Sequence, residues 1–367
     1  MSCENSRATG LTVPLVTVLV NTFNHERFIT QALTSVAEQY FPAKELEIIV
    51  VDDGSKDSTP EIVQRFLPRI CFIRKCNGGQ VSTLHQGMVH ATGEIIAFLD
   101  GDDWWTADKI TKVVEAFQRY PNIAAVGHSY HEVDEQGVLT GTMALETESY
   151  LNCKTAQNAR LAANLRVFGG TSRLAIRRKA LESMLPVPST LAFFDNFIFT
   201  QAIALSGAVI LPHPLCYYRL HSANLYASNS LDNERLRRRH NLLCNLLEHL
   251  PARLSRLGLS DDIIAATLDS DRMDAARLGL VLDGGSPWQT FCIERSAFHN
   301  AYRNPDIGYR VFKCLVLLLA LLTPPKTFYH LQRWYAKHNL GRIRQRIGGA
   351  ALAVPEIKTK PPGKRVA

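Results

Sequence analysis

The sequence predicts an α/β fold: a doubly wound, mainly parallel sheet followed by a C-terminal helical extension. Three observations carry this. Apolar runs at 15–20, 46–51 and 95–99 lack the polar alternation of a half-exposed strand, so they suit strands buried on both faces of a sheet. Segments with helical periodicity separate these runs through short connections, which implies parallel pairing and right-handed crossovers. The charge balance then changes: residues 1–228 carry 19 Lys/Arg against 22 Asp/Glu, and residues 229–367 carry 22 against 12. With 367 residues, 46% hydrophobic and 20% charged, the chain reads as globular, with room for one large domain and an appendage. The expected divisions are 1–228, a catalytic-size domain; 229–350, the helical extension; and 351–367, a flexible basic tail.

Taken in order, the strand 15–20 ends in Asn21-Thr22-Phe23-Asn24, and Ile29, Leu33, Val36 and Ala37 follow at helical spacing. The strand 46–51 ends in Asp52-Asp53-Gly54-Ser55-Lys56-Asp57. Ser58 and Glu61 then have capping-box spacing, Pro60 sits in the first turn, and Ile62, Val63 and Phe66 supply a buried face. A short strand at 71–73 leads to Asn77-Gly78-Gly79-Gln80 and a helix closed by Thr92-Gly93. The strand 95–99 runs straight into Asp100-Gly101-Asp102-Asp103-Trp104-Trp105, and Ile110, Val113, Val114 and Phe117 mark the next helix. Further on come a strand at 123–126, a hairpin turn at 134–137, a strand at 174–178 after Gly169-Gly170-Thr171-Ser172, and a helix from about 193 to 207.

Three strands thus deliver Asn21/Thr22, Asp52/Asp53 and Asp100/Asp102 to one sheet edge, where open α/β sheets bind ligands. Buried parallel strands rarely end in so many acids without a cation or ligand to hold. Two acids flanking Gly101 can point to the same side and hold a hard divalent cation shared with substrate phosphates. The competing reading is a solvated turn in which Asp103 or Thr106 caps the following helix. In the division of roles expected here, Asp102 is the metal ligand, Asp100 touches a ribose or a water of the metal shell, and Asp103 is the cap. No G-x-G-x-x-G follows the first strand and no phosphate-binding G-x-x-x-x-G-K-[ST] exists, so dinucleotide dehydrogenases and P-loop enzymes are disfavoured. The eight cysteines are scattered without a C-x-x-C pair, against a zinc site or a disulfide framework and in keeping with a reducing compartment. The N-terminus lacks a basic stretch leading into an apolar one, so a cytoplasmic protein is expected, one that could sit peripherally on the inner face of the membrane.

The motifs VTVLVNTFN, IVVDDGSKDST, NGGQ and GEIIAFLDGDDWW occur in this order, and the chain resembles glycosyltransferase family 2 over about its first 225 residues. The resemblance implies the GT-A fold and inverting transfer of a sugar from a nucleoside-diphosphate-sugar, most often a UDP-sugar, to a hydroxyl acceptor. It also implies a bound Mg²⁺ or Mn²⁺; a role in cell-surface polysaccharide or glycolipid synthesis is expected from the basic C-terminal part. By the same resemblance the donor is held by Asn21, Thr22, Asp52, Asp53, Asn77, Gln80, Asp100 and Arg219, and the metal by Asp102 and His221. The last two of these residues outside the acidic tract belong to Tyr218-Arg219-Leu220-His221-Ser222-Ala223-Asn224, which resembles the family's Y-R-x-H-x-x-N ending. Family members carry a carboxylate base near the start of a later helix, often written E-D; here Asp195, beside Asn196, is the matching acid. A helix N-cap is the other role open to Asp195. Walls of Phe193, Phe194 and Phe197 would raise its pKa toward the range a base needs. Two departures, Asn21 in place of the usual proline and His85 in place of a common asparagine, bear on base or sugar selectivity.

Beyond 229 the resemblance ends. Arg235, Arg237, Arg238 and Arg239 precede Leu242, Leu243, Leu246, Leu247 and Leu250 in a basic amphipathic helix. The apolar run 311–322 is shorter than the ~20 residues of a bilayer span. Trp334 and Tyr335 then lie among Lys326, Arg333, Lys337, Arg342, Arg344 and Arg346, a pattern that suits an anionic membrane surface. A helical subdomain with a buried helix accounts for the same run. Expected partners are therefore the nucleotide-sugar donor, a saccharide or lipid-linked acceptor and a membrane surface. Nucleic acid is not among them, since the acidic crevice repels phosphates and no groove-reading motif is present. A non-catalytic sugar-nucleotide-binding scaffold at the membrane is the alternative function.

Overall fold

The computed structural model describes residues 15–191, 194–221, 233–301 and 307–337, which fall into two compact units. The first comprises the described residues up to 221 together with His249–Thr267. It contains β1 (Val16–Thr22), α1 (Ile29–Ala37), β2 (Leu46–Asp52), α2 (Thr59–Gln64), β3 (Cys71–Arg74), α3 (Gly79–His90), β4 (Ile95–Asp100), β5 (Trp104–Trp105) and α4 (Lys109–Arg119). The chain continues through β6 (Ala125–Val133), β7 (Leu139–Met143), β8 (Ser149–Leu151), α5 (Ala156–Leu165), β9 (Ala175–Arg177), α6 (Arg178–Met184), α7 (Phe194–Leu205) and β10 (Ala208–Arg219).

The sheet order is β3-β2-β1-β4-β9-β6-β10-β5. β1, β2, β3 and β4 pair in parallel, as do β6 and β10; β9 joins the two parallel groups by antiparallel pairing, and β5, β7 and β8 are short antiparallel additions. The apolar run of β4 does what its composition requires: Ile95, Ile96, Ala97, Phe98 and Leu99 are all buried between the helices on the two faces. Ile29, Leu33 and Val36 of α1 and Ile110, Val113 and Phe117 of α4 are buried at the helical spacing read from the sequence.

Strand register brings the polar tips together. Thr22 pairs with Asp52 and Asn21 with Asp100, and the ladder runs on through Asp53 N–H to Thr22 O at 2.9 Å and Gly101 N–H to Asn21 O at 2.8 Å. Three loops therefore leave the same sheet edge side by side.

Two helix starts differ from expectation. Ser58 occupies the N-cap of α2 without a side-chain bond, so the Ser58/Glu61 capping box is not formed. Asp57 takes its place, because its carboxylate accepts the Thr59 and Glu26 N–H groups, both at 3.0 Å. Likewise α4 begins only at Lys109, with Asp108 at its N-cap position and the Thr106 hydroxyl donating to Asp108 at 2.7 Å, so neither Asp103 nor Thr106 caps it. Among the described cysteines, Cys76, Cys153, Cys216, Cys244, Cys292 and Cys314 are free and Cys71 is disulfide-bonded.

The second unit draws on the remaining described parts of α8 (Asn233–Arg256), α9 (Asp261–Leu282), α10 (Pro287–Ala301), α11 (Ile307–Leu322) and α12 (Pro325–Lys337). Leu236, Leu243, Leu278, Val281, Ala320, Phe328 and Tyr329 form its core. Arg277 fixes α9 to α10 by bonding both Glu294 oxygens, at 2.8 and 3.2 Å. The apolar run on α11 is neither wholly buried nor a span. Ala320 is in the core, yet Ile307, Val311, Leu315, Leu318 and Leu322 are exposed by 80, 56, 61, 52 and 72%. No helix among the described residues is long and apolar enough to cross a membrane. The expectations for Phe193, for the 222–224 end of the Tyr218 motif, for the flexible basic tail, for Arg342, Arg344 and Arg346 and for the side chains of Arg333 and Tyr335 lie outside the described residues.

Candidate active site

The acidic tract at the end of β4 closes on itself. Ligand oxygens of Asp100, Asp102 and Asp103 lie within 4.8 Å of one another. Asp100 Oδ1 accepts from Asn21 Nδ2 at 2.6 Å and from Gln80 Nε2 at 3.2 Å, and its backbone N–H donates to Ser172 Oγ at 3.1 Å. Asn21, the departure from proline, thus orients Asp100. Burial pushes the Asp100 carboxyl well above the usual range, with the charges of Asp102 and Asp103 adding to it and the Asn21 bond opposing.

Asp102 is held differently. His221 Nε2 lies 2.9 Å from its Oδ2, and His25 Nε2 lies 4.0 Å from the same oxygen. Burial works to raise the Asp102 carboxyl, but the His221 bond and the charges of His25 and His221 outweigh it and leave the carboxyl below its ordinary value. Asp103 is buried, and its Oδ1 accepts the Arg219 backbone N–H at 2.9 Å. Burial, with the Asp102 charge, pushes it up to about 7. Three carboxylates at close quarters with an imidazole form an oxygen-rich donor set of the kind a divalent cation takes, so the residues present fit such an ion.

The β2 tip divides its two acids. Asp52 is fully buried and spent on the loop: it accepts from Ser55 N–H and Oγ and pairs with Arg74 Nε at 3.2 Å. Asp53 reaches across to the segment before α3, accepting from Lys75 Nζ and from the N–H groups of Gly78 at 2.9 Å and Gly79 at 2.7 Å. That places Asn77, which is exposed, and Gln80 beside the crevice. Thr22 is buried, with its hydroxyl 3.3 Å from His25 Nδ1. His85, the other departure, accepts from Val187 N–H at 3.1 Å and serves the chain there.

Arg219 is placed differently from a donor ligand. Its guanidinium bonds Asp102 O and Glu135 O, each at 2.9 Å, and Gln31 Oε1 at 2.6 Å, and it is sandwiched between the rings of Phe28 and Trp104, each 4.6 Å away. It is buried and clamps the backbone of the acidic tract.

Asp195 stands in the first turn of α7 and bonds Thr171, whose neighbour Ser172 takes the Asp100 backbone N–H, and its charge adds to the rise of Asp100. Its Oδ2 accepts from Thr171 N–H at 3.1 Å and Thr171 Oγ1 at 3.2 Å, and Oδ1 accepts from Asn196 N–H at 2.7 Å. Burial pushes the Asp195 carboxyl up, with the Asn196 N–H, the Arg173 charge and Thr171 offsetting part of the rise. Phe194 and Phe197 are buried beside it, and the Phe194 ring meets Phe98 edge-on at 5.6 Å, which ties α7 to β4, the strand that ends in the acidic tract.

His25 and Lys75 are the parts of this site for which the sequence suggested no role, whereas Thr171 and Ser172 belong to the stretch that the family resemblance places where acceptor meets donor. A histidine in the loop after the first strand tip was the one visible signal.

Comparison with known proteins gives a consistent picture. Residues 17–185 match the family model of glycosyl transferase family 2. An uncharacterized glycosyltransferase of Nostoc sp. is 32% identical over 225 residues, covering 58% of this chain and 67% of its own. The alignment with a glycosyltransferase of Rickettsia typhi, 32% identical, covers 34% of this chain and 38% of the relative. Among solved structures, Staphylococcus aureus TarS 1–349 in complex with UDP-GlcNAc superposes with a TM-score of 0.52 at 19% identity, over 80% of this chain and 94% of that one. The mannosyltransferase PcManGT from Pyrobaculum calidifontis, in complex with GDP-Man and Mn²⁺, superposes with a TM-score of 0.54 at 20% identity, over 94% of this chain and 93% of that one. At these identities the two likenesses speak for the fold.

Proposed function

The chain belongs to glycosyl transferase family 2, a glycosyltransferase with the GT-A fold, and from this we infer inverting transfer of a sugar from a nucleoside-diphosphate-sugar to a hydroxyl acceptor. The observation that carries this reading is that Asp195 bonds Thr171 while the Asp100 N–H bonds the hydroxyl of the next residue, Ser172, which supports a base beside a diphosphate-binding edge. A UDP-sugar is the first donor to try. The acceptor is a saccharide or a lipid-linked saccharide, in keeping with cell-surface polysaccharide or glycolipid synthesis.

In this reading Thr22 and Asp53 line the floor on which base and ribose rest, with Asn77 and Gln80 at its rim. Asp100, oriented by Asn21 and Gln80, faces the ribose or a water beside it. Asp52 and Arg219 act one layer behind, fixing the two loops. Asp102 and His221, with Asp103 and Asp100 close by, would hold Mg²⁺ or Mn²⁺, which when bound neutralises the charge that develops on the departing diphosphate. Asp195 takes the proton of the acceptor hydroxyl as that oxygen attacks the anomeric carbon from the face opposite the diphosphate. A raised carboxyl suits this, because a base near the working pH balances readiness to accept a proton against the fraction ionised.

A panel of nucleoside-diphosphate-sugars, assayed for binding and for slow hydrolysis with and without Mn²⁺, tests the reading. One donor should show metal-dependent turnover. Binding without turnover of any donor would favour the scaffold alternative, and no metal-dependent binding at all would remove the donor site.

The raised carboxyls give a pH prediction with a definite sign. Asp100 and Asp103 sit above their ordinary values, so the metal-free protein carries protons there that a cation must displace. Mn²⁺ affinity should fall as pH drops through the Asp103 value of about 7, by about tenfold per pH unit for each proton displaced. Calorimetry in buffers of differing ionisation enthalpy reads the proton release directly.

We also infer that the C-terminal part meets an anionic membrane surface. Ile307, Val311, Leu315, Leu318 and Leu322 recur at helical spacing as an exposed stripe on α11, and residues 307–367 carry 12 Lys/Arg against one Glu. An apolar stripe in a strongly cationic segment complements a negatively charged lipid interface better than it does a second, equally cationic copy of the chain. The paired substitution Leu315→Glu and Leu318→Glu should abolish flotation with vesicles containing phosphatidylserine. Unchanged flotation, or a loss of dimer in its place, contradicts the membrane assignment.

A further inference from the structure

The loop between β1 and α1 is built around a strained residue. Asn24 is the one non-glycine residue in the left-handed region among the described residues, with φ 55°. Three bonds to the loop after β2 and one to the first residue of α2 hold the turn: Asn24 N–H to Ser55 Oγ at 2.8 Å, Lys56 N–H to Asn24 Oδ1 at 2.8 Å, Glu26 N–H to Asp57 Oδ2 at 3.0 Å, and His25 N–H to Thr59 Oγ1 at 2.8 Å. What this over-determined turn achieves is the position of one side chain. His25 points back into the acidic tract, with Nε2 4.0 Å from Asp102 Oδ2 and Nδ1 3.3 Å from Thr22 Oγ1. Gly101 makes room for it, since a Cβ there would lie 2.7 Å from His25 Nδ1. When Nδ1–H donates to Thr22 Oγ1, Nε2 keeps its lone pair and faces Asp102.

We propose that His25 is an imidazole donor to the cation held at Asp102, and that it biases the site toward Mn²⁺ over Mg²⁺. The proposal rests on the reading above that Asp102 holds a divalent ion. With metal–donor bonds of about 2.1 Å, two donors on opposite sides of one ion lie about 4.2 Å apart. The 4.0 Å between His25 Nε2 and Asp102 Oδ2 is close to this. Mg²⁺ takes oxygen donors almost exclusively and keeps its waters, whereas imidazole nitrogen suits transition-metal cations. An imidazole aimed at the shared carboxylate therefore favours Mn²⁺. A ring that merely filled the loop would need no left-handed turn, no glycine opposite and no alignment with Asp102.

The test measures metal binding in the absence of any sugar donor, on the full chain. Mn²⁺ affinity is read by electron paramagnetic resonance of the free ion, Mg²⁺ affinity by competition, and nitrogen ligation by electron spin echo modulation of bound Mn²⁺. His25→Ala, and His25→Phe as a variant that keeps the ring volume and the fold, should weaken Mn²⁺ by about tenfold or more while changing Mg²⁺ by less than about twofold. The echo modulation should lose one histidine nitrogen. Equal weakening of both ions, or an unchanged nitrogen signature, overturns the assignment of His25 while leaving the Asp102 site standing. Failure of the unmodified chain to bind Mn²⁺ at all overturns that site and the proposal with it.

Discussion

Asp195→Asn is expected to lower kcat by about a thousand-fold, within the range of about 10² to 10⁴ typical for loss of a positioned base, while leaving the donor dissociation constant within about twofold. The amide is nearly isosteric, and its oxygen can still accept from Thr171 N–H and Oγ1, so the tie to Thr171 survives although the Asn196 N–H loses its acceptor. What disappears is the group that takes the acceptor proton. The pH profile provides a second readout. Burial raises the Asp195 carboxyl, so the acidic limb of kcat/KM in the unmodified enzyme should lie above the ordinary aspartate range near 4, and that limb should be missing from the residual activity of the variant. Full activity in Asp195→Asn contradicts the base assignment.

Asp102→Ala is expected to erase the metal-dependent part of donor binding, a loss of at least about a hundred-fold given that outer partners of metal ligands alone are worth about 10- to 100-fold. Asp102 is the one acid of the tract held below its ordinary value, despite burial, so it is the readiest charged ligand of the three in the metal-free protein. Its removal also deprives His221 of a partner 2.9 Å away and His25 of the carboxylate it faces. Asp102→Asn separates the two effects, because it keeps the shape and removes the charge. Donor titrations with Mn²⁺ and with EDTA should coincide in both variants. A persistent metal-dependent difference would move the site to Asp100 or Asp103.

The sheet and its working edge were legible in the sequence for a simple reason. A strand covered on both faces must be almost wholly apolar, and β1, β2 and β4 are written that way up to their tips, with Thr17 of β1 and Glu47 of β2 bonded to each other as the exceptions. Since parallel strands all point their C-terminal ends to one edge, the residues that follow each run had to gather there, as the pairings of Thr22 with Asp52 and Asn21 with Asp100 demonstrate. The residues whose roles were not legible are those fixed by partners far off in the chain. Nothing local distinguishes Asp52 from Asp53; Arg74 and Ser55 bury the one, while Lys75 and the two glycine N–H groups turn the other toward the crevice. Arg219 carries a motif's signature, yet Gln31, Glu135 and the Asp102 carbonyl occupy its guanidinium. Asp103 has the spacing of a helix cap, but α4 begins six residues later and leaves it buried under the Arg219 N–H. His25 owes its position to the left-handed Asn24, a backbone state that sequence alone leaves open.

The central claim is a single displacement, with one base on the face opposite the leaving diphosphate. Proton magnetic resonance of the sugar released when water replaces the acceptor tests it most directly. From an α-linked donor, the account predicts that the β anomer forms first and the α anomer appears only later by mutarotation. An α anomer formed first would contradict a single displacement and the role given to Asp195.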